Sequence, residues 1–284
     1  MELKNRLVVG GAVVTLVVIC IFLSTLWWGW YFFGMALAAL VAIALWEYFQ
    51  LAKVKGLSPP VATSIIGSSL YILIMTLVGV PSVLPTFVLA ATLGIIIVQY
   101  FFSGEKPFIN IAIAFFGICY ITVPLSLIIK ITYFFPPNSL YNGTLWLVYL
   151  LVVTKMGDVG GFLVGTKWGK RKLAPKISPA KTIEGLMGGI IGSALASVVL
   201  ALLFDGTPFV ALGISVWAAL ILGALLAVVG QFGDLAESLL KRDAGVKDSN
   251  RLPGLGGVLD MVDSLLFTTP LIYFFMWIRF QGVT

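Results

Sequence analysis

The chain has 284 residues, of which 60% are hydrophobic and only 11% charged, and its mean hydropathy is +1.07. About a quarter of the residues in a soluble globular domain are charged, so this composition excludes one and makes lipid the solvent for most of the chain. The net charge of +6, from 18 Lys and Arg against 12 Asp and Glu, sits beside apolar runs, which points to anionic lipid headgroups and phosphorylated substrates rather than nucleic acid.

A membrane-spanning helix needs roughly 20 apolar residues. Runs of that length predict nine spans, at about 7–26, 29–51, 61–79, 83–102, 109–133, 143–165, 183–204, 208–232 and 262–280. The first follows Lys4 and Arg6 as a signal sequence would. No small-residue cleavage site is present, and Trp27, Trp28 and Trp30 follow as an interfacial belt, so it reads as an uncleaved span. The expected fold is therefore an all-α polytopic membrane protein of about nine transmembrane helices. Residues 1–142 read as scaffold helices and residues 143–284 as the catalytic region of a single integral membrane domain. Cys20 and Cys119 stand singly in apolar runs and indicate neither a disulfide framework nor a zinc site.

Basic residues alternate along the connections. Lys4 and Arg6, Lys53 and Lys55, Lys106, the run Lys167 to Lys181 and the run Lys241 to Arg251 fall on one side. The loops near Trp27, Pro81, Pro136 and Asp205 contain none, and Arg279 alone breaks the pattern. The basic side is thereby expected to be cytosolic, with the N-terminus inside and the C-terminus outside.

Acidic residues concentrate late in the chain: Asp158, Glu184, Asp234, Glu237, Asp243, Asp248, Asp260 and Asp263. A carboxylate in or beside a span costs a few kcal/mol by insertion scales, so such a group marks a functional site. Asp158 can pair with Lys155 and Glu237 with Lys241 on their own helices. Asp234, Asp260 and Asp263 have no cation within one turn. The stretch Lys167 to Lys181, broken by Gly169, Pro175 and Pro179, reads as a basic loop. Ser178 and Thr182 can cap the helix that follows, and Lys181 stands at its start, where free backbone N–H groups attract anions.

Residues 233–242 read as a helix leaving the membrane, with Asp234 and Glu237 on one face and Lys241 and Arg242 at the end. In residues 247–257, Pro253, Gly254, Gly256 and Gly257 forbid a regular helix. Such a loop lets backbone amides approach phosphate and delivers Lys247 and Arg251 to the same place. The chain re-enters the bilayer with Asp260 and Asp263 on a shared face. Carboxylates from two helix ends, joined by a basic glycine-rich loop, suit a divalent cation and phosphate.

These residues resemble the signature of the bacterial phosphatidate cytidylyltransferase, or CDP-diglyceride synthase, family. Ser238, Lys241-Arg242, Lys247-Asp248-Ser249, Pro253-Gly254, Gly256-Gly257, Leu259-Asp260 and Asp263 follow its C-terminal pattern. Gly233, Asp234, Glu237 and Ser238 follow its Gly-Asp-x-x-Glu-Ser, and Ser178 to Gly185 its Ser-Pro-x-Lys-Thr-x-Glu-Gly. The chain departs from the pattern at Leu255, where the family has histidine, at Met261, where it has arginine, and in a loop one residue shorter before Pro253. With no histidine anywhere, imidazole is excluded from any mechanism. A phosphate monoester nucleophile is already ionised near pH 7 and needs no strong base.

The resemblance implies the reaction of CTP with phosphatidic acid to give CDP-diacylglycerol and pyrophosphate. It implies Mg²⁺ held by Asp234 and Asp260, with room for a second cation, and Asp263, Asp248 and Lys241 at the reacting centre. Lys181, Ser178, Thr182, Arg242, Lys247, Arg251, Gly256, Gly257 and Asp158 are the implied substrate-binding residues. Expected partners are CTP, phosphatidic acid and membrane lipid, no nucleic acid, and a second copy of the chain if the protein is a homodimer. The expected location is the bacterial inner membrane, with the site facing the cytosol. A CTP-dependent kinase of a polyprenol or phytol-like alcohol shares this setting. A secondary transporter would need paired broken helices in two similar halves, which the first half does not offer.

Overall fold

The computed structural model describes residues 15, 17–26, 28–79, 82–103, 105–136, 139–205, 211–247 and 257–281. Among them are eight helices, or continuous helical runs, long and apolar enough to cross a membrane, and the protein is an integral membrane protein. Of the first expected span, 7–26, residues 15 and 17–26 are described, and 15 and 17–24 of these are helical. The chain divides into two compact units, residues 1–129 with 240–262 and residues 130–239 with 263–284.

The first unit opens with α1 (Gly29–Val54), α2 (Val61–Val78) and α3 (Leu84–Ser103). Then α4 (Pro107–Gly117) runs through a π turn, Ile118–Thr122, into α5 (Val123–Thr132). The π turn ends two residues before Pro124, which has no N–H to donate to the turn before it. These helices are apolar all round, and Phe101, Phe102 and Phe108 stand exposed, as lipid-facing side chains do. Apolar burial cannot choose a packing face when the solvent is also apolar, so small residues choose it. A Cβ on Gly34 would lie 2.4 Å from Thr76, one on Gly67 2.2 Å from Thr92, and one on Gly117 2.6 Å from Tyr48. Buried hydroxyls pair within the unit, Thr122 donating to Ser68 at 2.9 Å.

The second unit holds α6 (Gly143–Trp168), a hairpin of β1 (Lys172–Ala174) and β2 (Ser178–Thr182), α7 (Ile183–Asp205) and most of α8 (Val216–Asp243) and α9 (Val258–Arg279). Asn142 caps α6, its side chain accepting the Leu145 N–H at 3.2 Å. α6 and α7 pack through glycines: a Cβ on Gly160 would lie 2.5 Å from the Gly188 carbonyl oxygen, and one on Gly192 2.8 Å from that of Met156. Trp146 and Tyr149 are fully buried, and the Tyr149 hydroxyl lies 2.5 Å from that of Ser197.

Two expectations are corrected. The basic stretch Lys167 to Lys181 is no open loop: its second half is an antiparallel hairpin with Lys172 opposite Thr182 and Ala174 opposite Ser178, because Pro175 sits in the turn and leaves the ladder donors free. The span expected at 208–232 begins at Val216 and runs on to Asp243. Before it, Asp205 accepts the N–H groups of Leu212, Gly213 and Ile214 at 2.6, 2.9 and 3.1 Å, which fixes an irregular approach. Lys130 in the last turn of α5, which the charge pattern passed over, stands 5.7 Å from the Tyr273 ring centre.

Candidate active site

The polar residues of the second unit converge through backbone geometry. Thr182 caps α7, accepting the Gly185 N–H at 3.1 Å. Glu184 in the same turn accepts the N–H groups of Lys170 and Arg171 at 3.0 and 3.1 Å and the Arg171 side chain at 3.1 Å. Hairpin and helix are thus locked together, and Lys181, between them, forms an ion pair with Asp234 of α8. The Ser238 hydroxyl donates to the same carboxylate at 3.4 Å.

Next to Asp234, Gly233 lets α8 and α9 touch: a Cβ there would lie 2.4 Å from the Asp263 carbonyl oxygen. That contact brings in the Asp263 side chain, only 7% exposed, which accepts the Ser264 N–H at 2.5 Å and lies within the fields of Asp234, Asp158 and Lys155. Asp158 itself pairs with Lys155 at 3.1 Å. Three carboxylates therefore face two ammonium groups. A small cleft runs beside them, lined by Gly157, Asp158 and Gly161 of α6, Gly185 and Gly189 of α7, and Gln231 of α8. The Gln231 amide nitrogen is buried there without a hydrogen-bond partner.

The hard carboxylate oxygens of Asp234 and Asp263 fit Mg²⁺, which binds through one or two carboxylates and leaves places for water and substrate phosphate. Among the described residues no three acidic or cysteine side chains close on a common point.

The first unit carries a second polar cluster. Lys241, in the last turn of α8, forms an ion pair with Asp260 in the first turn of α9. The two side chains are 11% and 16% exposed. Asp260 also reaches back to accept the Gly257 N–H at 2.6 Å, the return half of a capping box. Another donor of that helix end, the Leu259 N–H, goes to Glu47 of α1 at 2.8 Å. α8 ends where Gly245 takes a φ of +73°, and the Arg242 guanidinium donates to the Val246 carbonyl at 3.3 Å.

Asp158, Lys181, Thr182, Asp234 and Asp263 thus come together in the second unit, and Lys241, Gly257 and Asp260 in the first. Lys247 is exposed. Asp248, Arg251, Gly256 and the substituted Leu255 lie outside the described residues. Ser178 opens β2 opposite Ala174, so capping falls to Thr182 alone. The cations missing within one turn of Asp234 and Asp260 arrive from other elements, Lys181 from β2 and Lys241 from α8, a pairing that helical spacing cannot reveal. Glu47 lies in the half of the chain that reads as scaffold, and the motifs of the second half do not point to it. Its signal was a carboxylate in the middle of an apolar run.

A model of the cytidylyltransferase family matches residues 11–279. A Chlamydia pneumoniae protein named phosphatidate cytidylyltransferase is 34% identical over 98% of this chain and 92% of its own length. Proteins of the same name from Synechocystis and Bacillus subtilis are 32% and 33% identical, over 87% and 86% of this chain and 89% and 88% of theirs. The match runs through both units and takes in the lysine–aspartate pairs of each, and on that evidence the chain belongs to the cytidylyltransferase family.

Proposed function

We propose that this protein transfers the cytidylyl group of CTP to the phosphate of phosphatidic acid, giving CDP-diacylglycerol and diphosphate. The observation that carries this reading is the family match over residues 11–279, joined by relatives named for that activity along most of their length. In the step, an oxygen of the lipid phosphate attacks the α-phosphorus of CTP. A P–O bond forms there, the bond from that phosphorus to the bridging oxygen breaks, and diphosphate leaves with the electron pair. The nucleophile is ionised near pH 7, so no strong base is required, in keeping with a chain that has no histidine.

What the site must supply is contact between two anions and neutralisation of the charge that builds on the leaving group. Lys181 and Lys155 set ammonium groups among the carboxylates of the second unit, and phosphates arriving there meet them. Asp234 and Asp263 would hold Mg²⁺, which when bound supplies Lewis-acid neutralisation of phosphate charge. Asp260, the other ligand that the sequence resemblance implies, has its carboxylate oriented within the first unit by Gly257 and Lys241. The glycines of the cleft remove side chains that would hold a substrate away from backbone and carboxylates.

The test is the fate of label. Purified protein with Mg²⁺, phosphatidic acid and CTP labelled at the α-phosphate should move label into the lipid fraction, while label at the γ-phosphate stays in water. Passage of γ-label to a polyprenol would replace the reading with an alcohol kinase.

The proposed setting is the bacterial inner membrane with the polar clusters facing the cytosol, drawn from the basic loops. Nine spans from a cytosolic N-terminus put the C-terminus outside. A reporter fused after Thr284 is expected to be active only outside the cytosol, and activity inside would reverse the assignment.

A further inference from the structure

We propose that Glu47, in the apolar N-terminal helices, is a positioning residue for the reaction, acting on Asp260 through the backbone of α9. Glu47 lies in the C-terminal half of α1, a 26-residue apolar helix, and is completely buried. A carboxylate at such a place is kept only where something compensates it. Here the compensation includes the N-terminus of α9, where free N–H groups and the helix dipole favour negative charge. Glu47 Oε2 accepts the Leu259 N–H at 2.8 Å, across 212 positions of sequence, and Leu259 is itself fully buried.

The neighbouring donors show what this contact controls. Gly257 N–H goes to Asp260, and Asp260 goes on to Lys241. The first turn of α9 is thus held by two carboxylates, one its own and one from α1. With the Leu259 donor satisfied from outside, Asp260 is left to bind Gly257 and face Lys241. Without Glu47, that amide is a buried orphan, and the Asp260 side chain, on the next residue, is an acceptor able to turn toward it. The Lys241–Asp260 geometry then relaxes, although Glu47 itself touches no substrate. This inference rests on the proposed cytidylyl transfer for its kinetic consequence and on the contacts alone for its structural one.

Two conservative substitutions separate the hydrogen bond from the charge. Glu47→Gln keeps the length and an accepting oxygen while losing the charge. Glu47→Asp keeps the charge and withdraws the acceptor by one methylene. Positioning through the Leu259 amide predicts that Gln retains kcat/KM within about threefold, while Asp loses about tenfold, the scale of a lost hydrogen bond. The loss should fall mainly on kcat, because Asp260 belongs to the reacting centre. Hydrogen exchange of the peptide covering 257–262, in detergent-solubilised full-length protein, should speed up in Glu47→Asp and remain near the parent rate in Glu47→Gln.

Asp active and Gln inactive would show that the charge and not the bond is used, and would overturn the proposal. So would parent-like activity in both variants, or equal loss in both. If the parent protein makes no CDP-diacylglycerol, the functional reading fails on its own assay, and exchange decides the positioning claim. Unchanged protection of 257–262 in Glu47→Asp would then end it.

Discussion

Asp234→Asn is expected to cut turnover by about 100-fold or more while the protein still folds and elutes as the parent does in detergent. The substitution changes hardly any volume and removes one negative charge from a cluster whose acids are Asp158, Asp234 and Asp263. Its Lys181 partner would then face a neutral amide, and the divalent cation proposed for this cluster would lose a charged ligand. Several kcal/mol of transition-state stabilisation from a metal corresponds to that loss, at about 1.4 kcal/mol per tenfold. The Asp234 side chain is 37% exposed and that of Lys181 17%, so the pair is partly buried, and asparagine, which keeps the volume and an accepting oxygen beside the ammonium group, limits the structural cost. Ser238→Ala provides the comparison: its hydroxyl reaches Asp234 only at 3.4 Å, so its loss should cost no more than about tenfold. The measurement is kcat against Mg²⁺ concentration. Near-parent turnover of Asp234→Asn at saturating Mg²⁺ would remove Asp234 from the ligand set.

Gly160→Ala is expected to destabilise the protein by about 1–3 kcal/mol and to lower its thermal midpoint in detergent by several degrees. A methyl at 160 would lie 2.5 Å from the Gly188 carbonyl oxygen and 3.2 Å from the carbonyl carbon. Both atoms are backbone, so no rotamer change makes room and α6 must move away from α7. α6 carries Lys155 and Asp158 and α7 begins beside Lys181, so activity should fall with stability. Gly94→Ala in α3 is the control. No atom lies within 4 Å of its Cβ position, and the substitution should be neutral or gain the fraction of a kcal/mol that alanine offers in a helix. Equal midpoints for the two variants would mean that α6 and α7 do not approach through Gly160.

Both predictions turn on contacts that spacing along the chain could not supply. The composition alone excluded a soluble domain, and eight of the nine predicted spans return as helices within a few residues, apart from the late start and long tail of α8. Apolar length determines a span whatever its neighbours, since backbone groups in lipid must pair within their own helix. The chemistry-bearing segments were legible as well. Asp234, Asp260, Asp263, Lys181 and Lys241 announced themselves because charges beside apolar runs are costly unless used.

Which acid meets which cation was decided only by the tertiary structure. Helical periodicity pairs i with i+3 or i+4, as it does for Lys155 and Asp158. Lys181 meets Asp234, however, because a hairpin turns the chain back, and Glu47 meets Leu259 because α1 packs at the N-terminus of α9. The glycines of α6 and α7 likewise read only as small residues in sequence. They set how closely two backbones approach, which is a property of the pair of helices and of neither one alone.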